Sequence, residues 1–291
     1  MSPPVHLQVP GKVVLMGEYA VLDGAPGLVA AVDRGVQVTA TAGPVLTIET
    51  PGSDDHFVRP ALERIGVRGA FRFEAWNPVD PRWKVGLGTS AAATVAAVRA
   101  GLLVSGESAD PAAVFAHAKA VHHQVQGSGS GIDVAASTYG GVLRYRDGQP
   151  TPARPLELPW TLVWSGASAK TGPRVARYLA WADRDEFVAR SAELVEAFDD
   201  NPIEALRDAR QLLEDMADQA GLSYRTPALD RIAALADQHG GAAKPSGAGG
   251  GDIAIAIFPD LDALGRFDAA CATERLPSFA VDLVPGEAIP P

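Results

Sequence analysis

Short apolar and alternating runs crowd the first third of this chain, and helical segments dominate the rest. Val5–Val9, Lys12–Leu15, Leu28–Val32, Val36–Ala40 and Val45–Glu49 are separated by Gly, Pro and Asp, which predicts five short strands. A short helix over Arg59–Ile65 and a strand over Phe71–Trp76 follow. Helices are then expected over Ser90–Val104 and Pro111–His123, the second with Asp110 as N-cap and Pro111 at N1. Gly141–Tyr145 and Leu162–Trp164 read as strands. Helices near Arg174–Ala182, Arg184–Phe198, Pro202–Gln219 and Pro227–Gln238 come next, the last two opening on the cap-like pairs Asn-Pro and Thr-Pro. Strand Ile253–Phe258, helix Leu261–Thr273 and strand Phe279–Leu283 complete the pattern. Strands and helices mixed in two layers imply an α+β fold and not an alternating doubly wound sheet. Four prolines between Pro150 and Pro159 mark a boundary, dividing the chain into residues 1–155 and 156–291.

Composition narrows the function classes. The chain of 291 residues is 47% hydrophobic and 21% charged, enough for a sizeable core. Its net charge of −10 argues against a nucleic-acid binder, which would carry a basic face. One cysteine, Cys271, excludes an intramolecular disulfide and a cysteine metal cluster, and fits a small core residue. No histidine constellation has metal-ligand spacing; His122 and His123 read as solvent-facing or hydrogen-bonded. The start has no basic, apolar leader, and the most apolar window, Ala91 to Val104, is too short for a membrane span. A soluble cytoplasmic protein with no membrane partner, monomeric or homodimeric, is the expectation.

Only five of the 25 basic residues are lysine: Lys12, Lys84, Lys119, Lys170 and Lys244. Three of them touch a glycine-rich segment, and Lys170 sits in a short Ser-Ala-Lys-Thr-Gly turn. Biased codon usage accounts for the arginine excess but not for this clustering. A compact ammonium approaching phosphate oxygens does.

The glycine segments carry the chemistry. Gly86-Leu-Gly-Thr-Ser-Ala91 leads into an alanine-rich helix whose N-terminus adds about half a positive charge, making an anion cradle. A tight strand-to-helix turn with Ser90 as a plain N-cap explains the string equally well. No Walker A string occurs, and the acidic strand end that a dinucleotide fold requires is missing. Asp133, at the end of Gly127-Ser-Gly-Ser-Gly-Ile-Asp133, is the candidate acid for orienting a nucleophile, or else a cap for helix Val134–Ser137. Lys244-Pro-Ser-Gly-Ala-Gly-Gly-Gly-Asp252 packs four glycines into five residues before a buried strand. Their ordering costs roughly 0.5–1 kcal/mol per glycine relative to alanine, which favours a phosphate loop over a loop of convenience.

Taken together, these segments resemble the GHMP kinases. Pro10-Gly-Lys-x5-Glu18, Gly86-Leu-Gly-Thr-Ser-Ala-Ala92 and Ser246-Gly-Ala-Gly-Gly-Gly251 are similar to that superfamily's three motifs, in order, across nearly the whole chain. The resemblance implies a domain like the second domain of ribosomal protein S5 followed by a ferredoxin-like domain. It also implies ATP, Mg2+ and direct transfer of the γ-phosphoryl group. Gly17-Glu-Tyr-Ala-Val-Leu22, Ala30-Ala-Val-Asp-Arg34 and Gly129-Ser-Gly-Ile-Asp-Val-Ala-Ala136 look like the phosphomevalonate kinase branch, whose acceptor is mevalonate 5-phosphate. Mevalonate kinases carry His where Tyr19 stands and a magnesium-binding Glu where His122 stands.

Carried over by position, Asp133 and Lys12 act on the accepting phosphate and Ser90 binds magnesium. Lys84, Gly86, Leu87, Gly88, Thr89, Ser90 and Ala91 cradle the triphosphate. Glu18, Tyr19, Lys170, Ser246, Gly247, Gly249 and Gly250 form the substrate side. The stretch Pro51–Arg82 is short for the family, where the adenine pocket is expected. Mevalonate kinase activity, a ligand sensor without turnover and a dinucleotide oxidoreductase stand as the competing readings.

Overall fold

The computed structural model describes residues 3–80, 83, 85–287 and 289. Where the pattern predicts four short strands, the chain forms two long ones. Strand β1 (Val5–Met16) runs antiparallel to β2 (Gly27–Ala42) along almost its whole length. Pro10-Gly11 is not a turn but a bulge: the register slips between them, with Pro10 opposite Gly35 and Gly11 opposite Val32. Proline donates no ladder hydrogen bond, and a bulge is where a strand tolerates that loss. Glycine at 11 and 35 lets the backbones close up, since a Cβ at either would collide with a carbonyl oxygen of the facing strand.

The first sheet is completed by β3 (Thr47–Glu49), β4 (Gly69–Trp76), β5 (Val142–Arg146) and β6 (Gln149–Pro152) in the order β3-β4-β2-β5-β6, with β1 on β2. Helices α1 (Val58–Ile65), α2 (Thr89–Ser105), α3 (Pro111–Gln126) and α4 (Ile132–Tyr139) accompany it. α2 is alanine-rich and buried along most of its length, with Ala91, Val95, Val98 and Leu102 in the same core as Val36, Val38, Leu62 and Phe71. Small side chains let it sit close to β1, β2 and its neighbouring helices. Asp110 caps α3 as expected, accepting from the Ala112 N–H at 2.9 Å.

The second sheet has the order β10-β7-β9-β8, all antiparallel: β7 (Trp160–Trp164), β8 (Ala242–Pro245), β9 (Ile253–Ile257) and β10 (Ser278–Phe279). Helices α5 (Thr171–Ala180), α6 (Asp185–Ala197), α7 (Pro202–Ala220), α8 (Pro227–Gln238) and α9 (Leu261–Thr273) go with it. Thr226 caps α8 through Leu229 N–H, whereas Asn201 makes no side-chain cap to α7. Strand β8 is absent from the sequence expectation because Lys and Pro interrupt its apolar pattern. The expected last strand is shorter than Phe279–Leu283; beyond it Leu283 bridges to Val32 and Val284 bonds to Ala31, so the chain returns to the first sheet. Among the described residues no helix is long and apolar enough to cross a membrane.

Candidate functional site

Lys12 is the point at which the glycine segments meet. Its backbone N–H donates to Leu87 O at 2.9 Å, docking the 86–91 loop directly on β1. Its side chain crosses Gly88, where a Cβ would come within 2.7 Å of Lys12 Cγ. Its ammonium stands 3.6 Å from Asp133 Oδ2 and faces Gly247, whose added Cβ would lie 3.8 Å away. Segments separated by up to 235 positions thus converge on one side chain.

A cavity of about 120 Å³ opens beside this pair. Its polar wall includes Lys12, Glu18, Tyr19, His122, Ser130 and Asp133, with Gly247 and Ala248 from the last glycine segment. Val14, Val21, Ile132 and Val175 supply an apolar side. The size and the mixed lining suit a small polar molecule with a short hydrocarbon part.

The start of α4 lines the cavity, and the start of α2 lies behind Lys12 and His122, which contact Gly88 and Ser90. Gly88, with φ 75°, is the N-cap of α2, so Ser90 is not its cap and makes no capping bond. The first-turn amides of Thr89, Ser90 and Ala91 lie where a helix leaves its N–H groups without intrahelical acceptors. Gly131 likewise caps α4, placing Asp133 in the first turn and not at the cap. The turn before it is fixed by Tyr145, whose hydroxyl donates to Ser130 O at 2.7 Å. Asp133 remains one-third exposed, and Lys12 is nearly buried.

The substrate-side expectations divide. Tyr19 lines the cavity with φ 63°, a region disfavoured for a bulky residue, and its hydroxyl donates to Ala248 O at 2.6 Å. Burial raises its phenol well above the ordinary value, with Arg174 pulling it down and Glu18 pushing it up. Glu18 also lines the cavity, but its Oε1 accepts from Lys244 Nζ in a buried ion pair and from Gly247 N–H at 3.4 Å. Burial outweighs Glu18 in pushing the Lys244 ammonium below its usual range. Ser246 points away: its hydroxyl accepts from Val14 N–H at 2.9 Å and donates to Val14 O at 3.0 Å, pinning the β8 end to β1. Gly247 reaches the cavity, whereas Gly249 packs on the Tyr224 ring and Gly250 on the Arg174 guanidinium. Lys170 is exposed just before α5, and the cavity wall is taken by its neighbour Thr171. Gly86 abuts Asp252, which receives the Ala169 N–H at 3.1 Å. Lys84 lies outside the described residues.

Of the two readings of His122, solvent-facing or hydrogen-bonded, the structure shows the second, and it adds a place in the cavity wall that the sequence reading did not give. His122 is 6% exposed, neither solvent-facing nor remote: its Nε2 is 3.3 Å from Ser90 Oγ, and its ring stacks on Phe57 at 5.3 Å and 24°. Burial pushes its imidazole below the ordinary value, while Asp133 pulls it up and His123 pushes it further down. The apolar stripe of α3 (Val114, Ala118, Val121 and Val125) includes position 122 at helical spacing, which is the signal that marks it as inward-facing.

Among the described residues no group of three or more His, Cys, Asp or Glu could enclose a metal ion alone. A lone hydroxyl such as that of Ser90 could serve only an ion that brings its other oxygen ligands with it, as magnesium on phosphate does.

Known proteins with the same features can now be set beside the geometry. Residues 57–141 match the family described as GHMP kinases N terminal domain, and residues 194–273 match GHMP kinases C terminal. The chain is 30% identical to a phosphomevalonate kinase of Streptomyces sp. (strain CL190), over 91% of this chain and 92% of that one. It is also 30% identical to a mevalonate kinase of Archaeoglobus fulgidus, over 89% and 94%. The fold superposes on Streptococcus pneumoniae phosphomevalonate kinase in complex with phosphomevalonate and AMPPNP, with a TM-score of 0.82 at 20% identity, covering 97% of this chain and 100% of that one.

Proposed function

We infer that this chain, which belongs to the GHMP kinases and is a phosphotransferase, moves the γ-phosphoryl group of ATP onto mevalonate 5-phosphate, giving mevalonate 5-diphosphate and ADP. The observation that carries the reading is the Lys12–Asp133 pair, 3.6 Å apart where the glycine turns meet beside a cavity of substrate size. Its fold is the two-domain α+β fold of those kinases, and we place the division at residues 1–155 and 156–291, nucleotide with the first part.

Phosphoryl transfer asks the protein for position and charge stabilisation more than for covalent chemistry. The first turn of α2 and the 86–91 loop would hold the triphosphate, with Ser90 on the magnesium that it carries. Held there, magnesium would supply charge neutralisation to the phosphates. An oxygen of the acceptor phosphate forms the new bond to the γ-phosphorus, and the bond to the β–γ bridging oxygen breaks, leaving its electron pair on ADP. Lys12 neutralises charge on the equatorial oxygens as it spreads, and Asp133 holds Lys12 and orients the acceptor. A phosphate oxygen at neutral pH is already largely ionised, so the reaction needs little from a base. That suits a cavity whose other acid, Glu18, is engaged by Lys244.

The second reading, mevalonate itself as acceptor, is favoured by the similarity to the Archaeoglobus fulgidus mevalonate kinase. ADP release measured side by side with the two acceptors, ATP and magnesium separates them. Turnover is expected with mevalonate 5-phosphate; turnover with mevalonate alone would establish the second reading instead.

A further inference from the structure

Gly247, Gly249, Gly250 and Gly251 carry no side chains, so the last glycine turn is held through its backbone by other residues. Glu18 takes the Gly247 N–H, and Tyr19 donates to Ala248 O. Further along, the partner is Arg174 of α5, a residue that no motif marks. Its Nη2 donates to Gly250 O at 3.4 Å, its Nε to Ser223 O at 3.2 Å and its Nη1 to Lys170 O at 2.8 Å. All three acceptors are backbone carbonyls, and they belong to three separate segments. The Gly250 N–H goes to Tyr224 O at 2.6 Å, a second tie between the turn and the 222–225 segment. A Cβ at Gly250 would collide with the guanidinium, and one at Gly249 with the Tyr224 ring. These two glycines make room for the groups that lie on the turn.

The same helix builds part of the cavity wall. Thr171 and Val175, on either side of Arg174 in α5, line the cavity together with Gly247 and Ala248. We propose that Arg174 is a positioning residue for the acceptor: its guanidinium locks the first turn of α5 to the last glycine turn, and so sets where Thr171 and Val175 stand against Gly247 and Ala248. Each nitrogen of the planar fork has its own carbonyl, an arrangement that a lysine ammonium, a single point on a flexible stem, does not reproduce. The proposal rests on the cavity being the acceptor site, as argued above. Nucleotide holding is separate, since the 86–91 loop docks on β1 through the Lys12 N–H and Leu87 O.

Steady-state kinetics of the full chain with Arg174→Lys and Arg174→Ala tests this, using whichever acceptor the wild-type enzyme turns over. Failure of the mevalonate 5-phosphate reading then shows in the wild type, and failure of this proposal in the variants. Both variants are expected to raise the acceptor KM roughly 10-fold, the scale of one lost charge-assisted hydrogen bond, and to leave the KM for ATP unchanged. A rise in Arg174→Ala that Arg174→Lys abolishes would assign the effect to charge and overturn the proposal. Equal rises in both KM values, the mark of a general loosening, would overturn it too, as would a wild-type acceptor KM in both variants. Circular dichroism checks folding; should Arg174→Ala not fold, Arg174→Lys decides alone. Turnover of neither acceptor by the wild type would overturn both readings.

Discussion

Lys12 and Asp133 stand 3.6 Å apart although 121 positions separate them, one beside a strand bulge and the other in the first turn of a helix. Neither element could place its charge there alone. The bulge at Pro10-Gly11 shifts the register just before Lys12, and the left-handed Gly131 starts α4 so that Asp133 faces β1. Asp133→Asn keeps the shape and removes the charge that holds Lys12 and orients the acceptor, and is expected to lower kcat on the order of 10²-fold. Lys12→Met is expected to lose about 10²- to 10³-fold, the scale seen when a transition-state charge partner is removed. Steady-state ADP release, with circular dichroism to establish folding, checks both. Rates near wild type in both variants would remove the pair from the chemistry.

The Glu18–Lys244 pair is a different matter, because it ties the wall residue Glu18 to β8 away from solvent. Glu18 Oε2 is buried without a hydrogen-bond partner among the described residues, so the pair is not an economical way to gain stability. Its geometric effect is plain: Glu18 also receives the Gly247 N–H, which fixes the last glycine turn against β1. Lys244→Met strands a buried carboxylate and is expected to cost about 3–5 kcal/mol in urea unfolding. Adding Glu18→Leu is expected to restore most of that loss while the KM for the acceptor stays raised, because the turn has lost its anchor. A double variant with wild-type KM would assign the pair to stability alone.

Much of this site is legible in the sequence because phosphate chemistry demands rare residue choices. Glycines with left-handed backbone, lysines amid arginines and an isolated Asp133 stand out from any core or surface pattern. The order of elements is legible for the same kind of reason: the start signals of α3 and α8 are side-chain N-caps that do bond as read. What misleads is punctuation whose meaning depends on tertiary partners. Pro10-Gly11 reads locally as a turn and is a bulge only because β2 lies opposite, with Gly35 making room. Ser246 reads as a substrate-side residue, but its hydroxyl is spent on Val14, 232 positions away. His122 reads as either solvent-facing or hydrogen-bonded because no neighbouring residue in the chain predicts Phe57 on its face or Ser90 at its edge.

Cys271 lies on α9, fully enclosed among Phe258, Phe267 and Ile232, and burial pushes its thiol up to about 12, with Asp268 and Glu274 adding to the shift. The thiolate is the reactive form, so at pH 8 the native protein offers almost none of it. Native protein mixed with Ellman's reagent is expected to stay unlabelled over minutes, and one thiol per chain should react once urea unfolds it. Fast stoichiometric labelling of the native state would show that α9 opens readily or packs otherwise.

Gly88 and Gly66 make a controlled comparison, since both hold left-handed backbone, φ 75° and 74°, at the end of a helix. A Cβ at Gly66 meets nothing within 4 Å, whereas one at Gly88 lies 2.7 Å from Lys12 Cγ and 3.1 Å from Lys12 Cε. Alanine at either site carries the same backbone penalty, about 1–2 kcal/mol. Only Gly88→Ala must also displace the Lys12 side chain from its path to Asp133. Both variants are therefore expected to lose similar stability in urea unfolding, with Gly88→Ala alone losing kcat, by roughly 10- to 100-fold. Equal kcat in the two variants would mean that Lys12 can take another route across the loop, and that close packing over Gly88 does not position its ammonium.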